Sequence, residues 1–196
     1  MTDNRDFTRR HFLTAATAVT GGVGLVAVAV PFVASFGPSA RAYALGAPVE
    51  VDISKVEPGA MIKVVWRGRV IMIVHRTDDM LTRLATIEDE LADPASLESE
   101  QPQFATNPQR SLKPEILVVE GVCTHLGCVP IARFEVGPAD LGSDWPGGFF
   151  CPCHGSKFDL AGRIYSGFPA PTNLRVPPHS FVTENIVLIG ADSGAT

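Results

Sequence analysis

Cys123-Thr124-His125-Leu126-Gly127-Cys128 and Cys151-Pro152-Cys153-His154-Gly155-Ser156 decide how this chain is read. All four cysteines of the 196 residues lie in these two segments, and two of the five histidines sit with them. Thiols gathered so tightly, with none elsewhere, read as one site and not as core filling. The ligand spacing is Cys123-x-His125 and Cys151-x-x-His154. Two thiolates and two imidazoles make an ordinary tetrahedral zinc site. The same side chains can hold a [2Fe-2S] cluster, with two cysteines on one iron and two histidines on the other. Cys128 and Cys153 are surplus to either set, and a zinc knuckle has no need of them.

Around the two segments the signals are those of strands. Glu115 to Val122 is a strand candidate leading straight into Cys123. Upstream, Val49 to Val56 alternates loosely, and Met61 to Trp66 and Val70 to His75 are apolar runs joined by Arg67-Gly68-Arg69, which predicts a hairpin. Downstream, Leu174-Arg175-Val176 and Ile186 to Ile189 read as two more strands, with Thr183-Glu184-Asn185 turning between the latter and Phe181. This is a small antiparallel fold, not an alternating α/β one. The 25 residues between His125 and Cys151, including Asp140, Asp144 and Trp145, are expected as a surface loop. His75 and His179 are expected as ordinary surface or edge-strand residues.

One region breaks the pattern. Asp78 is placed to cap a short helix with Met80, Leu84, Ile87 and Leu91 on one face and Pro94 as its stop. Residues 93–114 are polar, carry four prolines and read as a surface excursion. Residues 78–114 together are expected to form an insertion packed on the sheet, a candidate docking surface.

At the other end of the chain, residues 1–12 are polar and carry Arg5, Arg9 and Arg10, and the 24 residues from Leu13 to Phe36 are uncharged. A helix of that length reaches ~36 Å and crosses a hydrocarbon core of roughly 30 Å with some tilt. Thr8-Arg9-Arg10-His11-Phe12-Leu13 resembles a twin-arginine export signal, an address read by a receptor. That places the N-terminus in the cytoplasm, residues 13–36 as an anchor in the inner membrane and the remaining domain in the periplasm. Ala40-Arg41-Ala42 and Ala42-Tyr43-Ala44 are small-x-small motifs, so cleavage is the alternative to an anchor. Residues 37–48, with two glycines and two prolines, have the composition of a linker and are the expected hinge. The formal net charge is −5, and the chain beyond residue 36 holds 13 Lys and Arg against 19 Asp and Glu. Such an acidic domain gives no support to nucleic-acid binding.

The two cysteine-histidine segments resemble the two boxes of the Rieske iron-sulfur proteins, and within them those of the cytochrome bc1 type. The likeness extends to the twin-arginine segment, the anchor, the linker and Gly162-Arg163-Ile164. It implies a transmembrane helix followed by an all-β Rieske domain over 49–196, built of antiparallel sheets, with a cluster-binding subdomain at about 121–171. It further implies one [2Fe-2S] cluster, with Cys123 and Cys151 on the inner iron, His125 and His154 on the outer iron, and Cys128 and Cys153 joined as a disulfide. Ser156 matches the family serine that donates to cluster sulfur. Gly167-Phe168-Pro169-Ala170-Pro171 resembles the proline loop that covers the cluster, and Leu126 is expected exposed at its tip. Phe158 departs from the pattern, since a tyrosine is common there, and Tyr165 is the remote candidate for its missing hydroxyl. The implied activity is that of the electron-transfer subunit of ubiquinol-cytochrome c reductase, with cytochrome b, cytochrome c1 and ubiquinol as partners in a dimeric complex. The rival is the Rieske subunit of a periplasmic oxidase of the arsenite-oxidising type. From another class comes a zinc-stabilised binding domain.

Overall fold

The computed structural model describes residues 4–191; the first three residues of the export segment and the last five of the expected head domain lie outside them. The chain divides after Ala44 into two units. The first is dominated by a helix, α1 (Asn4–Ser35), which begins well before the apolar run and reaches ~48 Å. Among the described residues it belongs to the one helix region long and apolar enough to cross a membrane. The hydroxyls of Thr14, Thr17 and Thr20 each donate to the carbonyl four residues back at 2.8 Å, so these polar groups carry their partners with them into an apolar surrounding.

The segment read as linker is partly helical. α2 (Ala40–Gly46) starts from Ser39, whose hydroxyl accepts from the Ala42 amide at 3.2 Å. Alanines at 40, 42 and 44 favour the helix enough to override the linker composition around them. Both small-x-small motifs fall within it.

The second unit, Leu45 onward, stacks three small antiparallel sheets. In the first, β1 (Val49–Asp52) pairs with β9 (Ile186–Ile189), which pairs with β8 (His179–Thr183). In the second, β2 (Met61–Trp66), β3 (Arg69–His75) and β4 (Ile116–Glu120) lie in that order. In the third, β5 (Ile131–Arg133), β6 (Gly148–Phe150) and β7 (Lys157–Phe158) follow one another. β3 and β4 are covered on both faces, which is why they read as unbroken apolar runs and not as alternation. Ile71, Ile73, Ile116 and Val118 face Val51, Val187 and Ile189 of the first sheet. Met72, Val74, Leu117 and Val119 face the other way, into a core shared with Cys123, Cys151, Phe149 and Phe158.

Several expectations need correction. The helix is capped by Thr77, whose Oγ1 accepts from the Met80 amide, and not by Asp78. α3 (Asp78–Leu84) ends early and resumes as a single 3-10 turn at Glu88–Glu90, yet Met80, Leu84, Ile87 and Leu91 are all buried as their spacing demanded. Strand β1 stops at Asp52, because the Val56 amide turns back to the Ile53 carbonyl. Leu174-Arg175-Val176 forms no strand: Leu174 donates to Gly162, Val176 to Glu100, and the Arg175 carbonyl accepts from Glu120, so its bonds go to three separate segments and Pro177-Pro178 ends the run. Residues 93–114 are not a surface excursion throughout, since Ala105, Arg110 and Ser111 are buried. Trp145 is 3% exposed, its Nε1 donating to the Arg133 carbonyl at 2.9 Å. His179 lies on an edge strand but is 1% exposed, sandwiched by Phe104 and Phe181 and held neutral by burial, which lowers its pKa.

Candidate metal centre

The two boxes are the same turn built twice. In each, the amide of a glycine with positive φ (Gly127, +82°; Gly155, +78°) returns to the carbonyl of the box's first cysteine at 2.9 Å. In each, that cysteine's own amide donates to the carbonyl of the sixth residue, Cys128 at 2.7 Å and Ser156 at 2.8 Å. A side chain other than glycine is strained at such φ values, so the glycines permit the tight return. The box after β4 and the box between β6 and β7 therefore meet as two matching loops.

Their side chains sort by type. Cys123 and Cys151 are the two free cysteines; both are buried, and they contact one another. The imidazoles of His125 and His154 lie at 83° with centroids 4.7 Å apart, and His154 is exposed. Cys128 and Cys153 form a disulfide that joins the loops. As a free thiol Cys123 has its pKa raised, chiefly by burial, while the His125 amide and the Ser156 hydroxyl donate to its sulfur and act the other way. Both donors would stabilise negative charge on that sulfur.

A third loop closes the site. Leu126 is 69% exposed beside the histidines. Gly167, Pro169 and Pro171 are exposed, while Ala170 between the prolines is buried and its amide donates to Ser156 Oγ at 3.1 Å. Thr124 Oγ1 donates to the Thr172 carbonyl at 2.6 Å. One bond thus runs from this loop to each box. Thr124 and Ala170 escaped the sequence reading, because neither side chain has the chemistry that flags a site. Phe158 is fully buried in the cysteine core. Tyr165 packs instead with Trp145, Ile87 and Leu91 and its buried hydroxyl has no partner among the described residues, so it does not replace the hydroxyl missing from Phe158.

The donor set fits a binuclear cluster. His125 Nδ1 is buried and has no partner among the described residues, a state that costs on the order of 1–3 kcal/mol unless something is bound there. Cysteine meets cysteine and histidine meets histidine, as needed for one thiolate-held and one imidazole-held iron. Among the described residues, three donor atoms come within 4.8 Å of one another at Cys128, Cys151 and Cys153, but two of these are locked in the disulfide.

This is a cluster-carrying electron-transfer domain by its donors and its three-loop cover. The family model described as the Rieske [2Fe-2S] domain matches residues 49–178, and that described as the ubiquinol-cytochrome c reductase Fe-S subunit TAT signal matches residues 1–39. A ubiquinol-cytochrome c reductase iron-sulfur subunit of Allochromatium vinosum is 56% identical over 187 residues, covering 95% of this chain and 90% of the relative. That of Blastochloris viridis is 44% identical, covering 96% of each. A solved chain titled "Hyperthermophilic respiratory Complex III" aligns with a TM-score of 0.48 at 23% identity, over 90% of this chain and 98% of that one. The chain belongs to the Rieske iron-sulfur proteins, in the family of the ubiquinol-cytochrome c reductase iron-sulfur subunits.

Proposed function

We propose that this chain is the membrane-anchored subunit that takes one electron and one proton from ubiquinol at cytochrome b and passes the electron to cytochrome c1, within a dimeric complex. The N-terminus stays in the cytoplasm and the head works in the periplasm. The observation that carries the reading is a histidine pair, His154 exposed and His125 half-buried, with exposed Leu126 beside it and a buried cysteine pair behind the two boxes' turns. When bound by Cys123, Cys151, His125 and His154, a [2Fe-2S] cluster supplies a one-electron acceptor whose potential the imidazoles raise above that of a four-cysteine site. Because Nδ1 of His125 faces inward, its Nε2 is left to receive a hydrogen bond from the quinol hydroxyl and to hold its proton. Leu126 offers apolar contact for the ring. The disulfide and the loop through Ala170 fix the two histidines relative to each other. The relatives named above support the complex assigned here over a periplasmic oxidase.

Electron paramagnetic resonance of reduced membranes, titrated with and without an inhibitor of the quinol-oxidising site, tests this. A rhombic Rieske signal whose line shape responds to inhibitor is expected. A Rieske signal indifferent to the inhibitor moves the chain to the oxidase reading, and a membrane without the signal removes the ligand assignment.

A further inference from the structure

Three guanidinium groups are almost wholly buried in the head domain: Arg76 is 2% exposed, and Arg110 and Arg163 are 0% exposed. All three close on the turn that follows β7. Arg76 donates to the Leu160 carbonyl at 3.2 Å, Arg110 to those of Ala161 at 3.2 Å and Gly162 at 3.4 Å, and Arg163 to the Asp159 carboxylate at 2.7 Å. The charges do not balance. Asp159 is spent on Arg163 and on two amides. Asp93 is turned to the Leu97 and Glu98 amides and the Ser99 hydroxyl, so it and Asp159 attract Arg110 only through space and not as ion pairs. Among the described residues Arg76 and Arg110 make no ion pair; their remaining acceptors are carbonyls, Ser111 Oγ at 2.8 Å and, for Arg110, Gln101 Oε1 at 3.0 Å. Burial lowers the pKa of each to about 10, so both stay charged at neutral pH.

An unpaired buried charge is costly, and apolar residues would fill the same space more cheaply. Its effect reaches further than its contacts, because charges interact more strongly in a poorly polarisable interior than in water. Leu160 and Ala161, on which these groups rest, belong to the same core as Cys123 and Cys151. We propose that Arg76 and Arg110 act as a fixed positive charge behind the cysteine pair, raising the affinity of the bound cluster for its electron, so that residues 78–114 help set the reduction potential through Arg110. The proposal rests on the ligand assignment above. One-electron reduction adds a negative charge at the cluster, and a cation in the same interior that lacks an ion pair favours that state. Arg163, paired with Asp159, contributes little to the field and serves to position the turn.

Gln101→Glu tests the idea without altering volume. It places a carboxylate on Arg110, keeps the hydrogen bond and cancels the field. In the membrane-bound full chain, a redox titration of the Rieske signal should show the midpoint shifted to lower potential in Gln101→Glu and in Arg110→Met, with Arg110→Lys near the parent. An unchanged midpoint in Gln101→Glu with the signal intact overturns the proposal, as does loss of the signal in that variant, which would make the site purely structural. Arg110→Lys falling as far as Arg110→Met also counts against charge as the cause. A parent chain that shows no Rieske signal refutes the ligand assignment instead.

Discussion

Phe158 stands where a single added hydroxyl is expected to change the energetics of the proposed cluster site. Its ring is fully buried in the core that holds Cys123 and Cys151, two residues after the serine whose hydroxyl reaches Cys123. A phenol there would add a second hydroxyl donor to ligand sulfur, and the reduced, more negative cluster gains more from it than the oxidised one. A net hydrogen bond of about 1 kcal/mol corresponds to roughly 40 mV for one electron. Phe158→Tyr is expected to raise the midpoint by that order, read by redox titration of the Rieske signal. A midpoint that does not move would mean that the phenol finds another acceptor and that Phe158 is ordinary core. The four proposed ligand positions stand out in the sequence because thiols and imidazoles are scarce and here sit at ligand spacing. Arg76 and Arg110 were not legible: an arginine looks solvated until the fold brings residues 109–114 and 159–163 to meet around it.

Among elements, the contrast between the second and third sheets explains what a linear reading can find. The hairpin of β2 and β3 was visible because its strands are long apolar runs around Arg67-Gly68. β5, β6 and β7 have only two or three residues each, too few for any periodicity to register, and are specified by the boxes that flank them. Their close packing hangs on Gly148. A Cβ at that position would lie 2.1 Å from the Phe158 carbonyl oxygen and 3.0 Å from backbone atoms of Asp159, none of which can swing aside. Gly148→Ala therefore has to push β6 away from β7 and with it Cys151 from its place. The cost is about 3 kcal/mol or more. For a chain of this size that lowers the apparent melting temperature by on the order of 10 °C, measurable by circular dichroism on the detergent-solubilised full chain. An unaltered melting temperature would show that the two strands have room to separate. Trp145 teaches the same lesson in reverse: it was assigned to a glycine-rich surface loop by its neighbours, yet it anchors that loop against Tyr165 and Leu91.

At the scale of the whole molecule, the proposed function requires the head to exchange electrons at two sites while its helix stays in the membrane. The end of the linker is already committed to the head, because Trp66 Nε1 donates to the Ala47 carbonyl at 3.1 Å and Arg67 Nε to that of Gly46 at 3.4 Å. The proposed hinge is thereby narrowed to the residues between Phe36 and Gly46, most of them in α2. Seven residues span ~10 Å as a helix and up to about 24 Å when extended. An exposed helix this short is marginal in water, since nucleation is unfavourable and no buried face repays it. α2 can therefore melt and re-form at little cost, changing the reach of these seven residues by more than half their extended length. The pair Ala42→Pro and Ala44→Pro would hold the segment extended, as proline at 44 costs the helix interior about 3 kcal/mol, proline at 42 removes the amide that Ser39 caps, and each biases the residue before it away from the helix. If re-forming the helix is part of the cycle, quinol-dependent cytochrome c reduction should fall by roughly tenfold, as when a conformational step limits turnover. The Rieske spectrum and midpoint should be those of the parent, because no residue of the cluster site is touched. Full turnover in the double variant would show that the head reaches both sites on an extended tether. A changed spectrum would place the defect in assembly and not in motion.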